Sequence, residues 1–228
     1  MLILHIANKN YSSWSLRPWA LLRARSIPFQ EQMHFFEDRG DERPFRQFSP
    51  SARVPCLHDG EAVVWDSLAI VEYLAERHGG IWPGDSQARA WSRCACAEMH
   101  SGFSELRSCC SMNVGVRIRL HALTKGLEAD LRRLEELWTD GLGRFGGPWL
   151  GGTAFSAVDA YFTPVAFRIQ TYGLDLQEPC RSYAQRLLAH PALRAWEADA
   201  LLETERDPAH EEAIADSGVL LTDLRAAA

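Results

Sequence analysis

The apolar positions change period once along this chain. Leu2-Ile3-Leu4-His5-Ile6-Ala7 is an apolar, β-branched run, which predicts a strand buried on both faces. Ala20 to Arg25 continues as helix. Ile27-Pro28-Phe29 ends that helix and opens a second strand to about Phe36. A charged, glycine-containing loop is expected over Glu37 to Arg43, and a short helical turn over Pro44 to Phe48. Cys56–His58 and Ala62–Trp65 are short apolar runs on either side of Asp59-Gly60, a hairpin signal because that dipeptide tolerates positive φ. Leu68 to Glu76 returns to helical spacing, with Asp66 or Ser67 as N-cap. The order is β-α-β-α-β-β-α over about eighty residues, a plausible domain size.

Gly79 to Asp85 is rich in glycine and proline and reads as a break. It separates a domain over residues 1–79 from one over 87–228, with 80–86 as linker. Beyond it the pattern is helical throughout. One long amphipathic helix is expected from Ala88 to about Met112. Leu127, Leu131, Leu134 and Leu137 place another over Gly126 to Trp138. Ser156 and Asp159 form a capping-box pattern that opens a helix to about Tyr172. Two shorter helices follow, Arg181–Ala189 and Pro191–Leu202. His210 to Ala228 is acidic and alanine-rich and reads as a loosely docked tail without a function.

Composition narrows the functional classes. The chain has 228 residues, 46% apolar, with a formal net charge of -6. No concentrated basic face suggests nucleic-acid binding, and no apolar run is long enough to span a bilayer. The N-terminus runs straight into a strand and lacks the layout of a signal peptide, so a cytoplasmic location is expected. None of the six cysteines (Cys56, Cys94, Cys96, Cys109, Cys110, Cys180) has C-x-x-C spacing, and no cluster with histidine has zinc-ligand spacing. This argues against dithiol redox chemistry and gives no metal site.

The stretch from Asn8 to Trp19 joins the first strand to the first helix. Pro18 is cheapest in a first turn. That favours Ser15 as N-cap, with Leu16, Arg17 and Pro18 as the first turn. Ser12 and Ser13 then stand just ahead of the positive end of a helix, as plain loop residues or as ligands.

Four motifs, in order, resemble those of cytosolic glutathione transferases of the serine type found in the zeta, tau and theta classes. They are Ser12-Ser13-Trp14-Ser15-Leu16-Arg17, Arg53-Val54-Pro55-Cys56-Leu57, Asp66-Ser67 followed by Ile70 and Tyr73-Leu74, and the Ser156/Asp159 box. The match covers essentially the first two hundred residues. The resemblance implies a thioredoxin-like α/β domain followed by an all-α domain, and a homodimer. It implies a reaction in which a serine hydroxyl stabilises the thiolate of glutathione, the co-substrate, for attack on a small, hydrophobic electrophile. It places the catalytic hydroxyl at Ser12, with Ser13 as close alternative and Tyr11 third. Val54, extended before a cis-Pro55, would pair with the cysteinyl moiety. Asp66 and Ser67 would hold the γ-glutamyl end, and Arg53 the glycine carboxylate. Trp14, His100, Ser101 and Met112 would wall the second-substrate site. A zeta-like maleylacetoacetate isomerase is the specific alternative; the double serine favours it, and Trp14, where that motif has cysteine, does not. A non-catalytic binder of glutathione or hydrophobic ligands is the other. Ser111-Met112-Asn113 departs from the Pro-Met-Asn of relatives with this N-terminal motif.

Overall fold

The computed structural model describes residues 1–36 and 44–227; the charged loop expected over Glu37–Arg43 lies outside the described residues. The N-terminal part carries β1 (Leu2–Ala7), α1 (Ser13–Ala24), β2 (Phe29–His34), a 3-10 turn at Pro44–Gln47, β3 (Cys56–Asp59), β4 (Ala62–Trp65) and α2 (Ser67–Arg77). The sheet runs in the order β2-β1-β3-β4. β2 lies parallel to β1, while β3 and β4 form an antiparallel hairpin. The hairpin turns one residue later than expected, at Gly60-Glu61: Asp59 pairs with Ala62, and Gly60 takes a φ of 61°, the left-handed region that glycine enters without strain.

β1 is not buried on both faces. Leu2, Leu4 and Ile6 pack into the core beneath α1, whereas Ile3 and His5 are half-buried. On that second face His5 stacks on Phe48 at 4.3 Å and on His34 at 5.2 Å. Short aromatic cover from the 3-10 turn and the residues after it replaces a helix there.

The remaining chain carries α3 (Ser86–Ser101), α4 (Ser104–Cys109), β5 (Val116–Leu120), α5 (Lys125–Arg144), α6 (Ala157–Tyr172), α7 (Cys180–Ala189), α8 (Pro191–Leu202), α9 (Pro208–Ser217) and β6 (Gly218–Asp223). The helix expected over Ala88 to Met112 breaks at Gly102-Phe103, where Phe103 enters the left-handed region at φ 54°. This domain is helical with one addition, an antiparallel ribbon of β5 and β6. The tail is correspondingly ordered as α9 and β6, because Asp207 caps α9 through the His210 N–H and β6 pairs with β5. α6 is buried along nearly its whole length, from Ala157 to Arg168, and packs on α1, α3 and α7. No described helix is long and apolar enough to cross a membrane.

Candidate active site

The loop between β1 and α1 is held from both domains. The Asn8 carbonyl accepts the N–H groups of Tyr11 and Ser12 at 3.1 and 2.8 Å. α1 then starts at Ser13, three residues earlier than the proline suggested, with Ser12 as N-cap and Pro18 inside the helix. The local reason is a serine pair. Ser15 Oγ accepts the Ala7 N–H at 3.3 Å and the Ser12 hydroxyl at 2.7 Å, so Ser15 ties the first turn back to β1 instead of capping it. Ser12 makes no side-chain cap bond. The Ser13 N–H reaches the Tyr11 carbonyl and the Leu16 N–H the Ser12 carbonyl. Among the described residues the N–H groups of Trp14 and Ser15 have no partner, the ordinary condition of a helix start and a ready anion site.

Two adjoining hollows meet beside this helix end. A narrow cleft of about 290 Å³ is lined by Trp14, Arg53, Val54, Pro55, Asp66, Ser67, His100 and Arg107, among others. The Val54–Pro55 bond is cis, and among the described residues no hydrogen bond engages the N–H or C=O of Val54. Asp66 sits at φ 75° and caps α2 by accepting the Leu68 N–H at 2.8 Å. Positive φ in a non-glycine residue stores strain of the kind that gathers at functional sites. The larger cavity, about 820 Å³, adds Tyr11, Ser12, Ser13, Phe36, Phe45, Ser101, Met112, Arg168 and His210 to the walls formed by Trp14, Arg53, Val54 and Arg107.

Two family models match, described as the N-terminal domain of glutathione S-transferase over residues 11–77 and its C-terminal domain over residues 118–199. The chain belongs to the glutathione S-transferase family. It is 26% identical over 195 residues to the class-mu 26 kDa isozyme 1 glutathione S-transferase of Fasciola hepatica, a span of 80% of this chain and 83% of the relative. Its fold is similar to that of the unclassified 2 glutathione S-transferase of Bombyx mori, with a TM-score of 0.70, 20% identity and coverage of 96% and 99% of the two chains. It is also similar to a Burkholderia glutathione transferase homologue with bound glutathione, with a TM-score of 0.62, 20% identity and coverage of 87% and 97%.

In this transferase Ser12 and Ser13 both line the larger cavity, but they differ. Ser12 is 4% exposed and gives its proton to Ser15. Ser13 is half-buried, and among the described residues its hydroxyl has no partner. The Tyr11 hydroxyl donates to Glu211 at 2.8 Å. Burial, then Glu211, push that phenol above the ordinary tyrosine range, so it keeps its proton. Arg53, Val54, Pro55, Asp66 and Ser67 all line the narrow cleft. The Ser67 hydroxyl is buried against the Tyr161 hydroxyl at 2.9 Å, so that hydroxyl is already partnered. His100 stands in the narrow cleft rather than the larger cavity, 3.5 Å from Asp66 and edge-on to Trp14. Ser101 and Met112 line the larger cavity.

The sequence reading missed Arg107, Arg168 and His210. Arg168 had no visible signal beyond a charge in an otherwise apolar helix. His210 lies at the start of the acidic, alanine-rich tail, where the sequence carries no motif. Its ring stacks on Tyr11 at 4.9 Å and on Phe36 at 5.1 Å, and its Nδ1 donates to Asp207 at 2.5 Å.

Proposed function

We propose that the narrow cleft binds glutathione and that its thiolate lies at the N-terminus of α1, activated by a serine hydroxyl. The observation that carries this reading is the open start of α1. The Trp14 and Ser15 N–H groups, without partners among the described residues, stand beside two serines where the two hollows adjoin. An unperturbed thiol titrates near 8.5. Holding it ionised at neutral pH needs a depression of about two units, roughly 2.7 kcal/mol. A charge-assisted hydrogen bond and a helix end supply that together. The serine is a donor and never a nucleophile, so no base is needed beside it.

The rest of the tripeptide follows the cleft. The α-carboxylate meets the N-terminus of α2 at Ser67, the ammonium meets Asp66, the cysteinyl backbone pairs with Val54, and the glycine carboxylate meets Arg53. The electrophile enters the larger cavity, where Tyr11, Phe36 and Phe45 offer aromatic walls. The transferase is proposed to act as a homodimer, as its family resemblance suggests. Its six unpaired thiols suit a reducing, cytoplasmic compartment.

Asp66→Asn tests the cleft cleanly. Asparagine tolerates the same positive φ and can cap Leu68 in the same way, so only the charge is lost. KM for glutathione is expected to rise about tenfold, the loss of about 1.4 kcal/mol for one charge-assisted contact, with thermal stability unchanged. The ultraviolet band of bound thiolate, followed against pH, should show a midpoint about two units below that of free glutathione. An unshifted midpoint would rule out thiolate activation at this helix end.

A further inference from the structure

The larger cavity is walled by arginine as well as by aromatic rings. Arg168 projects from α6, is only 6% exposed, and lines the cavity. Its Nη1 donates to the backbone carbonyls of Cys110 and Arg107. Arg107 lines the same cavity and donates to the carbonyls of His100 at 3.2 Å and Gly102 at 3.4 Å. Its guanidinium stacks over Trp14 at 4.8 Å. The Arg17 guanidinium also packs on that ring, 4.0 Å from the Trp14 centroid and 4.6 Å from that of Tyr161. Arg17 is 2% exposed, and its Nε and Nη1 have no partner among the described residues.

Among the described residues none of these three arginines has a carboxylate partner. Among the described residues the acids that contact residues lining the two hollows are themselves engaged: Asp207 on His210, Glu211 on Tyr11 and, at 2.6 and 2.9 Å, on Arg225, and Asp66 on the α2 cap. Burial, assisted by mutual repulsion, lowers Arg17 and Arg168 to about 10, so both remain cationic at neutral pH. Buried like charges without a counter-ion are costly. Glutathione does not supply enough negative charge to the larger cavity, because its two carboxylates go to Arg53 and the α2 end and its thiolate to α1.

We propose that the electrophile is an aromatic carboxylate, its anion held at Arg168 and Arg107 and its ring lodged among Tyr11, Phe36 and Phe45. This rests on the reading of the adjoining cleft as the glutathione site. It changes the expected substrate class from hydrophobic to amphipathic and anionic. The geometry divides the labour: Arg107 borders both hollows, whereas Arg168 borders only the larger one. Arg168 is therefore the residue that separates carboxylate-bearing from neutral electrophiles. The bond chemistry is ordinary aromatic substitution. The glutathione sulfur forms a bond to the ring carbon, halide leaves with its electron pair, and the carboxylate takes no part in bond making.

The test uses the full-length protein and matched pairs of compounds. Calorimetry compares S-(4-carboxybenzyl)glutathione with S-benzylglutathione. Turnover compares 4-chloro-3,5-dinitrobenzoate with its methyl ester, each divided by its uncatalysed rate with glutathione. The carboxylate member of each pair is expected to win by at least tenfold. Arg168→Gln should erase that preference in both calorimetry and turnover while leaving the affinity for plain glutathione within twofold. Equal binding of the two benzyl conjugates by the wild-type protein would overturn the proposal, and that comparison decides the matter alone where Arg168→Gln does not fold. An equal effect of Arg168→Gln on acid and ester would also overturn it. Failure of plain glutathione to bind would overturn this proposal and the cleft reading together; glutathione binding without a charge preference would overturn only this one.

Discussion

Ser12 is buried beneath the cavity, where a hydrogen bond to a thiolate acts in a low dielectric and so gains strength. Ser15 stands behind it as a second hydroxyl that also accepts the Ala7 N–H, so under the proposed mechanism Ser12 releases Ser15 and turns its proton toward sulfur without stranding either group. Ser13 is more open to water, and its contribution is correspondingly screened. Ser12→Ala is therefore expected to lower kcat at least tenfold with glutathione affinity nearly unchanged, and Ser13→Ala to lower it less than threefold, roughly the span of one lost charge-assisted bond. The reverse order in steady-state kinetics moves the donor by one residue. His5 gives a separate, titratable signal. Burial, then the neighbouring His58 and His34, lower its pKa from 6.5 to about 4. The unfolded chain therefore binds this proton more readily than the native one. The stability it contributes is complete above about pH 6.5 and is lost as pH falls toward 4. The size is on the order of 1 kcal/mol, discounted because the ring is partly open to solvent. His5→Phe keeps the stack on Phe48 and should flatten the difference in urea midpoint between pH 7 and pH 4.5; an unchanged difference would assign the acid sensitivity to other groups. At this scale the cleft residues could be read from short motifs, since Val54-Pro55 and Asp66-Ser67 each combine a backbone constraint with a donor or charge. Arg168 could not, because its neighbours in space, Cys110 and Arg107, lie about sixty residues away in sequence.

Elements end where backbone groups find better partners, and that explains which of them the sequence revealed. α6 was legible because its box is local. Asp159, fully buried, accepts the Ser156 N–H at 2.9 Å, the Leu150 N–H at 3.0 Å and the Tyr183 hydroxyl at 2.9 Å. Burial raises its pKa to about 6, and those donors hold it back from rising further, so it is ionised at neutral pH. Asp159→Ala removes the acceptor of four donors, the Ser156 hydroxyl included, and we expect a loss of about 3–5 kcal/mol in urea unfolding. A loss under 1 kcal/mol would show that water replaces the carboxylate. α1 was misplaced by one turn because Pro18 looked like a first-turn residue, yet the Ser15 tie to β1 starts the helix at Ser13. The β5–β6 ribbon was missed although Val116-Arg117-Ile118-Arg119-Leu120 alternates with period two. Its partner Gly218–Asp223 lies some hundred residues on, and long-range pairing leaves little local trace.

The whole molecule is organised so that the loop between β1 and α1 belongs to neither domain alone. Glu203, just past α8, accepts the Lys9 N–H at 2.5 Å, the Asn10 N–H at 3.1 Å and the Asn10 amide at 3.0 Å. The Trp196 indole donates to the Lys9 carbonyl at 2.8 Å, and Lys9 Nζ bridges Glu31 at 2.7 Å and Asp199 at 2.6 Å. Asn10 also receives the N–H groups of Val114 and Gly115. This arrangement makes loop geometry, and with it the proposed thiolate activation, depend on the helical domain staying docked. Glu203 is buried and its pKa is raised by that burial, with the loop N–H groups opposing the rise. Removing its carboxylate strands two backbone donors at the base of the active site. Glu203→Ala is therefore expected to cost about 3 kcal/mol, a fall in Tm of about 6–12 °C for a chain of this size. Below that Tm, turnover should still drop several-fold, because Ser12 is two residues from the freed loop. Far-ultraviolet circular dichroism and tryptophan fluorescence should report one transition in the wild-type protein, since Trp19 and Trp196, from the two domains, meet edge-to-face at 5.0 Å across the seam. Two separated transitions in the wild type, or full turnover in Glu203→Ala, would show that the N-terminal domain holds its loop unaided.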